Sequence, residues 1–94
     1  MAVPEPAVRR HVWVSGRVQG VGYRASCAHR AKRAGVAGWA LNLADGRVEA
    51  VFEGEPRSVE DLLAWCRTGP RHARVTGVVV REEPAVGETG FSVR

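Results

Sequence analysis

The sequence predicts an α+β sandwich of element order β-α-β-β-α-β, with two helices on one face of an antiparallel sheet and a short fifth strand at the C-terminus. Apolar residues alternate along 8–15, recur at helical spacing along 23–34 and 59–66, and alternate again on both sides of Asp45-Gly46. Ninety-four residues are enough for one hydrophobic core and no second lobe.

In the first strand (VRRHVWVS), Val8, Val12 and Val14 share one face, and His11 and Trp13 the other. Gly16, Gly20 and Gly22 follow within seven residues, which predicts a loop with unusual backbone angles. Over 23–34, Cys27, Ala28, Ala31 and Ala34 form a helix face with Arg30 and Arg33 outside it, and Gly35 is a fitting stop. Residues 36–44 and 47–53 read as strands joined by a two-residue turn at Asp45-Gly46. That turn pairs Leu43 with Val48, Leu41 with Ala50 and Trp39 with Phe52, all apolar and on one face.

Pro56 opens a second helix with a core stripe of Val59, Leu62, Leu63 and Cys66. Glu60 and Asp61 early and Arg67 late suit its dipole, and Gly69-Pro70 ends it. Residues 73–83 form a strand whose apolar parity slips near Gly77, as a bulge there would cause. Residues 90–94 make the short fifth strand. Right-handed crossovers fold this order into the split βαβ, ferredoxin-like architecture, which hosts many functions.

Residues 1–7 carry two prolines and no periodicity, so a flexible N-terminal tail is expected, with one domain over 8–94. No stretch approaches the roughly 20 apolar residues of a membrane span, and the N-terminus lacks the build of a secretion signal. The expected compartment is the cytoplasm. Cys27 and Cys66 are too few for a disulfide scaffold. Both face the core, where two reduced thiols are expected and a bridge between them is the alternative. Trp39 and Trp65 read as core, whereas Trp13 stands on the open sheet face or at a partner surface.

The net charge is +4, and Lys32 is the only lysine among fourteen basic residues. Arginine's planar fork suits phosphate and carboxylate, so the excess favours anionic ligands, although a GC-rich genome gives the same composition. His11, His29 and His72 have no ligand spacing, and no metal is expected. Ser26 and His29 share a helix face without a carboxylate partner, and Glu82 and Glu83 point to opposite faces of a strand.

Topology nevertheless singles out one edge. The first and second strands run the same way, and the first helix starts where the first strand ends. The loop 16–22, the helix start at Tyr23-Arg24 and the strand end at Asn42 therefore meet. Free N–H groups at a helix start and in a glycine loop make an anion site, and Arg24 adds a two-pronged charged contact. A cation in a first helical turn opposes the dipole, and its placement makes sense if an anion sits beside it.

The stretch GRVQGVGYR, Gly16 to Arg24, resembles the acylphosphatase signature G-x-V-Q-G-V-x-F-R. Gly38-Trp39-Ala40-Leu41-Asn42 with Asp45-Gly46-Arg47-Val48-Glu49 resembles the family's G-W-V-x-N-x-x-D-G-x-V-E, and the likeness extends from Val8 onward without insertion. Tyr23 stands where the family usually has phenylalanine, and Ala40 for a common valine. The resemblance implies hydrolysis of acyl phosphates to carboxylate and inorganic phosphate, without metal or other cofactor. It implies that the amides of Gln19, Gly20, Val21, Gly22, Tyr23 and Arg24 cradle the phosphate, that Arg24 clamps its oxygens, and that Asn42 orients the attacking water.

The expected partner is a small acyl phosphate, with no nucleic acid and no membrane, and the chain is expected to be a monomer. The sequence stops at Arg94, which favours a free-standing enzyme over a domain serving a larger assembly. The alternative is a non-catalytic phosphate- or nucleic-acid-binding module. It needs exposed aromatics on two central strands, and the third strand offers Arg47, Glu49, Val51 and Glu53 instead.

Overall fold

A computed structural model describes residues 6–94. The elements are β1 (Val8–Arg17), α1 (Tyr23–Ala34), β2 (Ala37–Asn42), β3 (Val48–Gly54), α2 (Pro56–Cys66), β4 (Arg74–Glu83) and β5 (Phe91–Val93). The flexible tail expected over 1–7 falls mostly on residues outside this description. Pro6 and Ala7 are exposed and precede β1.

The strands lie in the order β4-β1-β3-β2-β5. The first four are antiparallel to their neighbours, but β5 runs parallel to β2, so the sheet is mixed where an antiparallel one was expected. The cause is the connection 84–90, which passes from one sheet edge to the other without leaving the end where β4 stops. β5 therefore starts at the same end as β2.

Val12, Val14, Val48, Ala50 and Phe52 of the sheet bury against Tyr23, Cys27 and Ala31 of α1 and Val59, Leu62 and Cys66 of α2. Each fully buried valine contributes about 1.5–3 kcal/mol. Trp65 sits at the margin of this core, its ring centroid 5.1 Å from that of Tyr23.

The β2–β3 hairpin departs from the sequence reading by one residue. Asn42 pairs with Val48, Ala40 with Ala50, Trp39 with Val51 and Gly38 with Phe52. Leu43 N–H donates to the Arg47 carbonyl at 2.8 Å, so the loop is Ala44-Asp45-Gly46, three residues instead of two. Gly46 supplies the positive φ of 96° that closes such a loop, and the Asp45 carboxylate accepts the Arg47 N–H at 3.1 Å. A one-residue slip exchanges the two faces of a strand. Ala40 and Ala50 consequently lie under the helices, while Trp39 moves out of the core to the open face.

There Trp39 meets His11 edge-on at 5.7 Å, and His11 stacks on Trp13 at 4.1 Å. The guanidinium groups of Arg81 and Arg94 lie over Trp13 and Trp39. Two smaller corrections concern β1 and β4. Gly16 belongs to β1 and not to the loop, and the bulge falls on Thr76, the residue left between the pairs Ser15–Gly77 and Gly16–Val75.

Glu53, read as an open-face residue, is 5% exposed. Its carboxylate accepts the N–H groups of Val86, Gly87 and Glu88 at 2.8–2.9 Å, and Arg9 donates to it at 3.2 Å. This carboxylate fixes the β4–β5 connection against β3. Burial opposes its ionisation, but the Val86 and Glu88 N–H groups and Arg9 outweigh burial and hold it below the usual carboxylate range. Arg81, His11 and Arg9 push Glu83 down to about 2. A carboxylate depressed by folding contributes stability above its unfolded pKa and loses it as pH falls to the folded one. The melting temperature is therefore expected to drop as pH falls from about 4.5 towards 2, and Glu53→Gln to flatten the drop. Melting curves over a pH series check both.

Candidate active site

β1 and β2 end at the same rim of the sheet, and α1 begins there. The loop between β1 and α1 is pinned by side chains that point inward. Val18 is 1% exposed, Val21 packs on the core, and Tyr23 is buried with its hydroxyl donating to the Cys66 carbonyl at 2.8 Å. Between these anchors Gly20 and Gly22 take φ of 75° and 78° and have open space where a side chain would stand. Left-handed backbone at alternate positions turns successive amides outward in a concave arc.

No N–H from Gln19 to Arg24 donates to a main-chain acceptor among the described residues, and no side chain caps α1. The first helical bond of α1 runs from Ser26 N–H to the Gly22 carbonyl at 3.0 Å. The six amides named from the sequence are thus donors without a partner among the described residues.

Arg24 and Asn42 are brought to this arc from two sides. Asn42 is exposed and lies on the helix-facing side of β2, two positions beyond the buried Ala40. The Arg24 guanidinium donates from Nη1 to the main-chain oxygen of Arg94 at 2.6 Å, and Arg94 N–H donates to the Ala40 carbonyl at 2.8 Å. Arg24 is therefore tethered to the chain beside Leu41, next to Asn42. No acidic residue occupies the first turn of α1, and the tether through Nη1 leaves most of the guanidinium donors free.

Two contacts at this site lay beyond the sequence reading. The Gln19 side chain donates from Nε2 to the carbonyls of Leu43 and Arg47, at 2.8 and 3.0 Å, and so fastens the loop to the hairpin just after Asn42. The sequence singles out only the Gln19 main-chain amide. The other contact is the main-chain oxygen of Arg94. These bonds span 24 and 70 residues, and no local pattern announces either.

The remaining candidates do not assemble. Among the described residues no three His, Cys, Asp or Glu side chains come together as a metal site would require. Cys27 and Cys66 are both buried and free, and burial pushes both thiols up, Cys66 to about 11, which makes them inert. A cleft between α1 and α2, lined by His29, Arg30, Arg33, Ser58, Asp61 and Trp65, lies away from the loop. In the arc itself Gly20 and Gly22 are exposed, and Gln19, Val21 and Arg24 are half-buried.

The acylphosphatase family model matches residues 10–93. An acylphosphatase of Rubrobacter xylanophilus is 62% identical over 92% of this chain and 79% of its own length. One of Methylococcus capsulatus is 60% identical over 90% of this chain and 94% of its own. The solved structure of an acylphosphatase from Coxiella burnetii superposes with a TM-score of 0.91 at 38% identity, covering 95% of this chain and 94% of that one.

Because the arc depends on left-handed backbone, Gly22→Ala is expected to cost about 1–2 kcal/mol of stability with no steric clash to relieve. Urea denaturation measures it, and an unchanged midpoint would show that the loop adopts another conformation in solution.

Proposed function

The chain belongs to the acylphosphatase family, enzymes that act on acyl phosphates, and on that premise we propose which of its residues do the work. The amides of Gln19, Gly20, Val21, Gly22, Tyr23 and Arg24 hold the phosphoryl oxygens, the Arg24 guanidinium clamps them, and Asn42 holds the attacking water in line. The observation that carries this reading is the run of six main-chain donors without an acceptor among the described residues, placed beside one guanidinium and one neutral amide side chain.

So sparse a site suits the reaction. Phosphoryl transfer passes through a loose transition state, and positioning with charge stabilisation does most of the catalysis. The water oxygen bonds to phosphorus as the bond from phosphorus to the acyl oxygen breaks, and the acyl group leaves as a carboxylate. Its parent acid has a pKa of about 4–5, so no general acid is needed. Asn42 orients the water but cannot deprotonate it, and a phosphoryl oxygen of the substrate takes the proton. Arg24 and the amides supply the positive potential that a metal would otherwise provide.

No helix is long and apolar enough to cross a membrane among the described residues. On the grounds given from the sequence, the protein is proposed to act as a cytoplasmic monomer on a small molecule. The nucleic-acid reading is not favoured. Glu49 and Glu83 flank His11 at 2.5 and 2.8 Å on the open sheet face, and carboxylates among the aromatics repel a phosphate backbone.

Arg24→Gln is expected to lose about 2–4 kcal/mol of transition-state stabilisation and to weaken competitive inhibition by inorganic phosphate. Asn42→Ala is expected to lower kcat strongly while the phosphate inhibition constant stays close to that of the parent. Steady-state kinetics on an aromatic acyl phosphate, without added metal, measures all of these, and parental turnover in either variant would refute the assignment. The pH–rate profile is expected to be flat between about pH 5 and 7, whereas a limb near pH 6.5 would mark a histidine base.

A further inference from the structure

The topology sorts charge as well as secondary structure. Four chain segments meet at the rim that carries the arc: 16–24, 42–48, 66–75 and 93–94. β1 and α2 end there, and β3 and β4 begin there. Arg17 closes β1 opposite Arg74, which opens β4. Arg67 and Arg71 lie in the connection after α2, which the Tyr23–Cys66 bond holds beside the start of α1. With Arg24, Arg47 and Arg94, half of the chain's fourteen basic side chains stand at this rim, against one of the nine Asp and Glu side chains among the described residues. That one, Asp45, is already bound to Arg47 at 2.9 Å.

The opposite end of the sheet is different. Glu53, Glu83 and Glu88 gather around Arg9 there, and Glu82 pairs with Arg10. Arg17, Arg67, Arg71 and Arg74 are all exposed, and among the described residues none has a carboxylate within ion-pair distance. Four like charges around one arc, unpaired among the described residues, raise the local potential for an anion and repel one another while the arc is empty.

We propose that this arginine rim is an electrostatic collector for the substrate. Arg17, Arg67, Arg71 and Arg74 govern capture of the acyl phosphate and discriminate among substrates by their total negative charge, without touching the reacting atoms. The inference rests on the site and reaction proposed above. Neighbouring strands lie about 4.8 Å apart, so the start of β4 and the end of β2 are within about 15 Å of each other. Ions at about 10 Å in water change one another's binding by about two-fold per unit charge, and the effect is close to multiplicative over several arginines at low salt.

The test compares the wild type with R17Q/R67Q/R71Q/R74Q, and with a control of equal charge loss elsewhere, R30Q/K32Q/R33Q/R57Q. At about 10 mM ionic strength the rim variant is expected to lose about ten-fold or more in kcat/KM for an aromatic acyl phosphate, with kcat within about two-fold of the parent. The gap closes at about 1 M salt, where screening reaches about 3 Å. The loss is larger for an acyl phosphate whose acyl part bears a further carboxylate, and smaller in the control variant. Melting curves with and without inorganic phosphate give a second readout. The rim variant is expected to melt higher than the wild type without phosphate and to gain less when phosphate is added.

Equal kcat/KM and equal salt dependence in wild type and rim variant would overturn the collector while leaving the reaction intact. An equal fall in the control would overturn it too, because net charge alone would then explain the effect. Absence of turnover in the wild type would instead strike at the proposed reaction.

Discussion

Six successive amides with no acceptor among the described residues constrain everything around them. A chain spares such donors only where solvent or a ligand answers them, so the segment from Gln19 to Arg24 has to lie at a surface. It must also curve, which the left-handed backbone of Gly20 and Gly22 achieves. Side chains on both flanks bury to hold the curve: Val18 and Tyr23 in the core, and Gln19 by its amide on the hairpin. The parallel course of β1 and β2 then delivers Asn42 to the same place. The fold thus serves the arc more than the arc decorates the fold.

Much of this was legible in the sequence because it is locally encoded. Helix spans follow from apolar spacing with a stop residue, and α1 begins and ends where the pattern puts it. The meeting of loop, helix start and Asn42 follows from strand direction alone. The hairpin register was not legible. Two- and three-residue loops at Asp45-Gly46 both close, and both bring apolar residues opposite one another. The choice rests on the bond from Arg47 N–H to the Asp45 carboxylate and on the helices above, which accept alanine at positions 40 and 50 but no tryptophan at 39. Long-range ties such as Gln19 to Leu43 and Arg24 to Arg94 have no sequence signature, because a polar side chain on a loop looks the same whether it faces water or a carbonyl.

The face of the sheet away from the helices shows how polar residues can close a surface without a second layer. His11 bridges Glu49 and Glu83, arginines lie over Trp13 and Trp39, and Glu53 draws the β4–β5 connection across. Val51, in the middle of that face, is fully buried as a result. Each carboxylate has a donor, so the face avoids the cost of unpaired buried charge. Its aromatics are spent on structure, which explains why a sandwich of this kind need not bind nucleic acid.

Tyr23 joins two roles that most enzymes keep apart, since it contributes one of the outward amides and is also among the largest side chains wholly inside the molecule. Opening the arc therefore requires drawing an aromatic ring out of the interior and breaking its bond to the end of α2. Resistance of this segment to proteolytic cleavage then belongs with that of the core and not with that of a fraying loop. Heat would spare the geometry of the arc until the molecule as a whole gives way.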